Sequence, residues 1–214
     1  MDYRTVSSKL HTAAFKANQE PAPKVEPSAL ELVLLRIRLR AQRRRLWLLE
    51  LLRDENTKAS AQPDYHSLIE NILEGRDLTE SEKAWQEKAD VAQALNTEIA
   101  WVEERISADK TSRLAGLILS FGLSYEETAI FHTCLALAID PQLESVCSYL
   151  QDNNARSYVS FPLVSKLFGL PFQLNHTAMP ILKAWDFVTV VEYAKTEPAI
   201  LKLDPWICNW ILGS

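Results

Sequence analysis

Leucine and isoleucine recur at helical spacing over residues 28–53. Ser28 and Glu31 form a capping box, in which each side chain can bond the backbone N–H of the other residue. The apolar positions then form two neighbouring stripes, namely Leu30, Leu34, Ile37, Ala41, Leu48 and Leu52, and Leu35, Leu39, Leu46 and Leu49. Because these stripes together cover more than half of the helix circumference, the pattern predicts a long helix that is buried on two sides.

A second long helix is predicted over residues 79–108. Thr79 opens it in another capping box, and two long helices joined by a connection favour an antiparallel hairpin. Asp64 and Gly75 bracket a predicted short helix over 65–74 within the connection. The apolar positions of the second long helix follow spacings of three and four, as in a coiled-coil seam: Trp85, Ala92, Leu95, Ile99, Val102 and Ile106.

The second half of the chain carries shorter elements. Gly122 ends an apolar helix, and Ser124 with Glu127 forms a third capping box that opens the next one. Asp140 followed by Pro141 indicates a further helix of about ten residues, since aspartate caps well and proline is tolerated at the first helical position. Helices therefore follow one another closely in this half.

A polar break at residues 152–154 separates that helix from the short apolar run "SYVSFPLVSKLF", an order typical of a helix-turn-helix. Asn175 can cap the next helix, "HTAMPILKAW". The run "DFVTVVEY" is rich in β-branched and aromatic residues, and a polar turn, "AKTEP", leads from it into "AILKLD". These two runs predict a β-hairpin, and Asp204 with Pro205 begins a last helix. Helices followed by a β-hairpin indicate a winged helix.

The predicted fold class is therefore mainly α, with a long antiparallel helical hairpin followed by a winged-helix domain of three helices and a β-hairpin. We expect a flexible arm at 1–27, the hairpin at 28–111 and the winged helix at 112–214. The 214 residues are 47% apolar and 24% charged, which is an ordinary balance for a globular protein. No apolar run approaches the ~20 residues of a transmembrane helix, and the N-terminus has no secretory pattern, so we expect a cytoplasmic protein without membrane contact.

The net charge of −5 is unevenly distributed along the chain. Residues 1–53 carry 11 basic and 5 acidic residues, a net +6. Residues 54–111 carry 6 and 14, a net −8, and residues 112–214 carry 6 and 9, a net −3. The first long helix is thus basic and the second acidic, and the predicted winged helix is itself acidic.

One arginine cluster occupies the face of the first helix that the apolar stripes leave free: Arg36, Arg40, Arg43 and Arg44. As the only basic patch it is the candidate site for a nucleic-acid-binding regulator, which is the alternative function. Pairing with the acidic helix, for instance with Glu98, Glu103 or Glu104, is the favoured interpretation.

Two further arginines, Arg38 and Arg45, lie seven residues apart within the apolar arc. Burying a guanidinium without a partner is costly. We expect each to meet a carboxylate of the acidic helix or to project at the edge of the hairpin.

Several chemistries lack the residues that they need. Five glycines cannot assemble a phosphate-binding loop, and no G-x-x-x-x-G-K-[ST] motif occurs. Four scattered histidines give no metal site, and the widely spaced Cys134, Cys147 and Cys208 are best interpreted as buried free thiols. No nucleophile has a recognisable base. We expect no enzyme, no cofactor and no metal in this chain.

The predicted recognition helix near "FPLVSKLFGL" has one cation, Lys166, and a phosphate-binding surface needs more. The predicted wing contains two lysines, Lys195 and Lys202, and three carboxylates, Glu192, Glu197 and Asp204. The winged helix is therefore interpreted as a protein-contact module, with nucleic acid disfavoured. Candidate partner contacts, for which burial in the core is the simpler interpretation, are Phe161, Lys166, Phe168, Trp206 and Trp210.

The segment from Arg113 to Phe168 resembles the N-terminal region of a group of bacterial AAA+ ATPases, those encoded with extracellular contractile injection systems of the antifeeding-prophage and Photorhabdus virulence cassette type. The likeness covers about residues 28–213. The matching pieces are Phe121-Gly122-Leu123-Ser124, Glu127, Cys134-Leu135-Ala136, Asp140-Pro141, Glu144, Tyr149-Leu150-Gln151-Asp152 and Arg156, with "AILKLDPWICNWILG" at the end. An acidic loop after the YLQD motif and the aromatic Phe161 and Phe168 depart from the group's pattern.

The resemblance implies a non-catalytic recognition head that binds protein clients or adaptors, such as injection-system components or cargo. The AAA+ motor, expected to bind ATP and Mg²⁺ in the full-length protein, is not in this chain. By the same likeness, ring-shaped homo-oligomers are expected only with the motor present.

Overall fold

The computed structural model describes residues 26–56, 78–170, 174–192 and 197–213. These ranges are mainly helical with one two-stranded antiparallel sheet, which confirms the predicted fold class. The helices are α1 (Ala29–Asn56), α2 (Leu78–Lys88), α3 (Asp90–Ala108), α4 (Arg113–Phe121), α5 (Tyr125–Ile139), α6 (Leu143–Leu150), α7 (Phe161–Phe168), a 3-10 turn (His176–Ala178), α8 (Pro180–Ala184) and α9 (Pro205–Leu212). The strands are β1 (Val188–Val191) and β2 (Ile200–Leu203). Most of the predicted arm and the short helix at 65–74 lie outside the described residues.

The second helix of the hairpin is broken, which corrects the single helix expected at 79–108. Ala89 has an extended backbone, with φ −80° and ψ 124°, between α2 and α3. Side chains of α3 satisfy carbonyl groups near the end of α2: Gln93 Nε2 donates to the Glu87 carbonyl at 2.6 Å, and Asn96 Nδ2 to that of Gln86 at 3.2 Å. These bonds replace the backbone hydrogen bonds that are lost at the break, so the helix is interrupted without a glycine or a proline.

Helix α1 is buried on two sides, as predicted. Val33 and Ile37 belong to the main hydrophobic core, together with side chains of α4 to α9 and both strands. A second cluster packs α1 against α3 and consists of Leu32, Leu39, Leu95, Ile99 and Val102. The main core therefore contains residues from both sides of the expected boundary at residue 111, although that division of the chain stays a prediction.

Local capping fixes most helix starts in the second half. Ser124 and Glu127 exchange both bonds of the capping box, and the Asp204 side chain accepts from the N–H groups of Trp206 and Ile207. Gly122 ends α4 in a left-handed conformation, with φ 62°, which a residue with a Cβ rarely adopts. One start differs from the expectation: Asp140 accepts from the Gln142 N–H in a turn, and α6 begins only at Leu143.

The wing strands pair in antiparallel register, with Val188 opposite Leu203 and Val191 opposite Ile200. Val159, just before α7, adds an antiparallel bridge to Leu201 and so extends the sheet. The polypeptide runs from this bridge through α7 and α8 back to the sheet, and both helices pack against α5, while α8 also contacts β1.

Candidate functional site

Helix α7 offers no apolar contact surface, which corrects part of the predicted binding site. Phe161 and Phe168 are 6% and 7% exposed and belong to the main core. The physical reason is that α7 lies between α1 and α5, so that its apolar residues are covered from both sides. Only Lys166 of the predicted contacts on this helix is exposed.

The exposed helix of this region is α8, which lies after α7 in the sequence. Leu182 is its one buried residue, and the turn before it exposes His176 and Thr177. In a helix-turn-helix the second helix is the one presented to a partner. Sequence reasoning assigned that role to "FPLVSKLFGL", where the structure has the largely buried α7.

A buried carboxylate holds α8 in place. Glu127 Oε1 accepts from the N–H of Ile181 at 2.7 Å and of Leu182 at 3.3 Å, while its other oxygen accepts from the Ser124 N–H at 3.1 Å. One side chain thus satisfies the N-terminal N–H groups of two helices. The capping-box pattern predicted the bond of Glu127 to the Ser124 N–H at the start of α5, but it did not predict the contact with α8.

The exposed charges around α8 and the wing do not form a cationic surface. Lys183 and Lys202 are exposed there, and Glu192 and Asp186 are exposed beside them. Glu197 pairs with Arg156 at 2.9 Å, while Lys195 lies outside the described residues. Nothing in this part of the described chain accumulates the positive charge that phosphate binding requires.

Arg36 and Arg40 are buried, which corrects their assignment to an exposed basic patch. Both guanidiniums donate to Glu103 Oε1 at 2.7 Å, as the pairing with the acidic helix predicted. Phe168 lies beneath both, with its ring centroid 4.7 Å from the Cζ of Arg36 and 4.3 Å from that of Arg40. Burial alone would raise the pKa of Glu103, but hydrogen bonds and charge from the two arginines lower it below its usual value.

His132 completes this buried arginine cluster. Its Nδ1 lies 2.8 Å from Arg36 Nη1, and because a guanidinium only donates, Nδ1 accepts this bond. Its Nε2 is buried without a partner. Burial, followed by the charge of Arg36, holds the pKa of His132 well below its ordinary value, so the ring is neutral in the folded protein.

The other two arginines of the predicted patch are also engaged within the chain. Arg44 forms an ion pair with Glu82, and Arg43 Nη1 donates to Asn96 Oδ1 at 2.7 Å. Both side chains are partly buried. The candidate patch on α1 is therefore a set of internal connections to α2 and α3, as the favoured pairing with the acidic helix predicted.

Arg38 and Arg45 remain exposed, and neither meets the acidic helix. Arg38 Nη2 donates to Asp140 Oδ2 at 2.8 Å, at the end of α5. Arg45 is exposed and has no hydrogen-bond or ion-pair partner among the described residues. These two side chains thus project from the hairpin, one of the two expected outcomes.

Exposed tryptophans lie on α9 and on the turn after α8. Trp206 and Trp210 on α9 are 81% and 48% exposed, and Trp185 after α8 is 61% exposed. Helix α4 connects them, because Arg113 donates to the Trp210 carbonyl at 2.7 Å and the Phe121 ring meets the Trp185 ring at 5.1 Å. We call the exposed apolar side chains of these elements the tryptophan surface, which comprises Leu119, Trp185, Trp206, Trp210 and Leu212.

Sequence reasoning selected Trp206 and Trp210 but missed Trp185. It is the last residue of the predicted helix "HTAMPILKAW", follows α8 in the structure and precedes Asp186, which has a positive φ of 52°. That turn directs the chain into β1 and leaves the indole at the surface. An aromatic residue followed by aspartate at a helix end is the only signal that the sequence offered.

The described ranges contain no group of three or more His, Cys, Asp or Glu side chains arranged to hold a metal ion. Their helices include none with the length and apolar character of a membrane span. Burial raises the pKa of the Cys147 thiol to about 11, and of Cys134 further, so neither is a reactive thiolate.

Comparison with known proteins places this arrangement in a family. The model of the family described as "Winged helix domain, variant" matches residues 28–184, from the capping serine of α1 to the end of α8. The chain belongs to this winged-helix family. No curated protein and no solved structure matches the chain. The match includes the helical hairpin as well as the helices of the winged helix, and it ends before β1.

Proposed function

We propose that this winged-helix chain is a non-catalytic protein-recognition module that presents the tryptophan surface to a protein client or adaptor. The observation that carries the proposal is that Trp206 and Trp185 are both more than half exposed on an acidic winged helix. Tryptophan contributes strongly to protein interfaces, and Trp206 and Trp210, four residues apart, lie on one side of α9.

The internal pairing of the arginines on α1 supports a protein partner over nucleic acid. The four side chains of the expected basic patch are bound to Glu103, Glu82 and Asn96 inside the hairpin. Releasing them toward phosphate would leave these acceptors partly buried and unpaired, which is costly.

The resemblance noted in the sequence supports a more specific version of the proposal. In it, the chain is the N-terminal head of a AAA+ ATPase of an extracellular contractile injection system. The head would bind injection-system components or cargo in the cytoplasm. A motor that binds ATP and Mg²⁺, and that assembles as a ring, would then unfold, load or remodel them.

A capture experiment with matched variants tests the recognition role. The tagged chain is used to capture partners from cells that carry its neighbouring genes, and compared with Trp206→Ala and Trp101→Ala. Trp101 on α3 is 42% exposed and makes a cation–π contact with Arg105, so its variant controls for loss of any surface tryptophan. We expect Trp206→Ala to lose a component of the injection system that Trp101→Ala retains, while both variants melt as the wild type does.

Binding of duplex DNA gives the opposing outcome. A gel shift that weakens steeply as salt rises would show phosphate-driven binding and contradict the proposal. Equal capture by both tryptophan variants would also contradict it, since the tryptophan surface would then carry none of the recognition.

A further inference from the structure

Helix α1 has one side that faces α6 rather than α3, at the edge of the main core. Arg38, Ala41, Gln42 and Arg45 follow the spacing i, i+3, i+4 and i+7, which places them along one side of the helix. Helix α6 runs beside this side, and a groove of about 370 Å³ lies between the two helices. Its α6 wall is formed by Leu143, Ser145, Val146, Tyr149 and Leu150.

The groove is apolar along its floor and cationic along one wall. Ala41, Leu143 and Leu150 are buried, and Tyr149, which is 47% exposed, stands along the α6 side. Arg38 and Arg45 are two helical turns apart, about 10.5 Å along the axis at the usual rise per residue. No aspartate or glutamate is among the residues that line the groove.

Both guanidiniums retain donors for a ligand. Arg45 has no hydrogen-bond or ion-pair partner among the described residues, and Arg38 gives a single N–H to Asp140 out of the five that a guanidinium carries. Asp140 is itself occupied on its other oxygen by the Gln142 N–H. Among the described residues, the cationic wall therefore keeps N–H donors that can pair with carboxylates from outside.

We infer that this groove binds an amphipathic helical segment of a partner protein, with apolar side chains on the floor and two carboxylates about two turns apart that meet Arg38 and Arg45. An apolar face laid into a groove is a recurring mode of peptide recognition, and complementary charge sets its register. The groove shares no residue with the tryptophan surface. The inference goes beyond the proposed function and can fail independently of it.

The same residues argue against two other occupants. A nucleic acid would set phosphates and sugars over the apolar floor formed by Ala41, Leu143 and Leu150, where they gain nothing. A second copy of this chain related by a two-fold axis would bring its own Arg38 and Arg45 against the first pair, and like charges repel.

Fluorescence anisotropy of the 214-residue chain with a synthetic probe tests the inference. The probe is a fluorescein-labelled helical peptide with leucines between two glutamates spaced seven residues apart, and its twin has glutamine at both glutamate positions. We expect saturable binding of the glutamate peptide and about tenfold weaker binding of the twin, because the charge contacts are lost.

Variants then locate the site. Arg45→Glu is expected to raise the Kd of the glutamate peptide at least about tenfold, and Tyr149→Ala severalfold through the lost apolar wall. Arg105→Glu is the matched control, an exposed arginine on α3 with the same charge change, and it should leave the Kd unchanged.

Four results would overturn the inference. They are absence of saturable binding to the wild type, equal binding of the two peptides, a Kd insensitive to Arg45→Glu, and displacement of the peptide by duplex DNA. A fifth contradicting result could come from sedimentation of the chain alone. Self-association that Arg45→Glu abolishes would show that a second copy of the chain occupies the groove.

Discussion

Arg36 and Arg40 lie on one face of α1 and Arg38 and Arg45 on another, so that one helix holds the same residue type in two environments. The first pair is buried, shares the carboxylate of Glu103 and covers the ring of Phe168. The second pair is exposed and borders an open groove. A basic helix is thus not a basic surface, because what each guanidinium can bind depends on the helices packed around it.

The buried face should respond most strongly to loss of its aromatic floor. Phe168 is 7% exposed and lies beneath two guanidiniums, so Phe168→Ala leaves a cavity and removes both cation–π contacts. We expect a loss of about 4 kcal/mol in the free energy of unfolding, measured by urea denaturation. Tyr149→Ala is the exposed counterpart and should cost below about 1 kcal/mol. Similar losses in the free energy of unfolding for the two variants would show that the buried and exposed faces of α1 do not differ in this way.

Removing one buried guanidinium is the next largest change. Arg36→Met leaves Glu103 with one partner and His132 Nδ1 without a donor. Breaking a buried pair from one side costs about 3 kcal/mol or more, whereas Arg38→Met removes an exposed pair and should cost below about 1 kcal/mol. The two substitutions are chemically identical, so their difference in urea midpoint measures the environment alone. A loss below about 1 kcal/mol for Arg36→Met would show that the buried cluster is not stabilising.

The neutral His132 predicts how stability varies with pH. Its pKa is depressed in the folded protein, because burial and then the charge of Arg36 disfavour the proton. Below the ordinary value of about 6.5 the unfolded chain takes up a proton that the folded one does not, so stability falls as pH falls.

The slope from this one group approaches about 1.4 kcal/mol per pH unit below pH 6. Urea denaturation at pH 7 and at pH 5.5 measures it, and His132→Asn should remove most of it. The exposed His176 provides the control, and His176→Asn should keep the slope. A slope that survives His132→Asn would assign it to other groups.

Local signals were sufficient for much of this architecture. The capping boxes at Ser28 and Ser124 and the cap at Asp204 are formed by residues within three positions of one another, and all three are present. The two runs on either side of the polar "AKTEP" turn likewise predicted the two strands of the wing. Such signals depend on neighbours in the sequence, and the structure follows them.

Contacts between distant residues account for what the sequence did not reveal. Arg36 meets His132 across 96 positions and Arg40 meets the Leu167 carbonyl across 127, so their burial could not be inferred from helical spacing. The break at Ala89 depends on where the Gln93 and Asn96 side chains turn back. The groove beside Arg45 arises only once α6 lies against α1.

The smallest expected change in the free energy of unfolding is at Arg45, and it separates the two faces of α1 most clearly. Its guanidinium is exposed and has no ion-pair partner among the described residues, so Arg45→Met should change the free energy of unfolding by less than about 0.5 kcal/mol. The methionine keeps an apolar chain against the groove while the charge is lost. Paired with the expected loss of about 3 kcal/mol in Arg36→Met, this result would show that one face of α1 maintains the fold and the other is free for binding. Destabilisation above about 1 kcal/mol would instead reveal that Arg45 already has a partner within the chain.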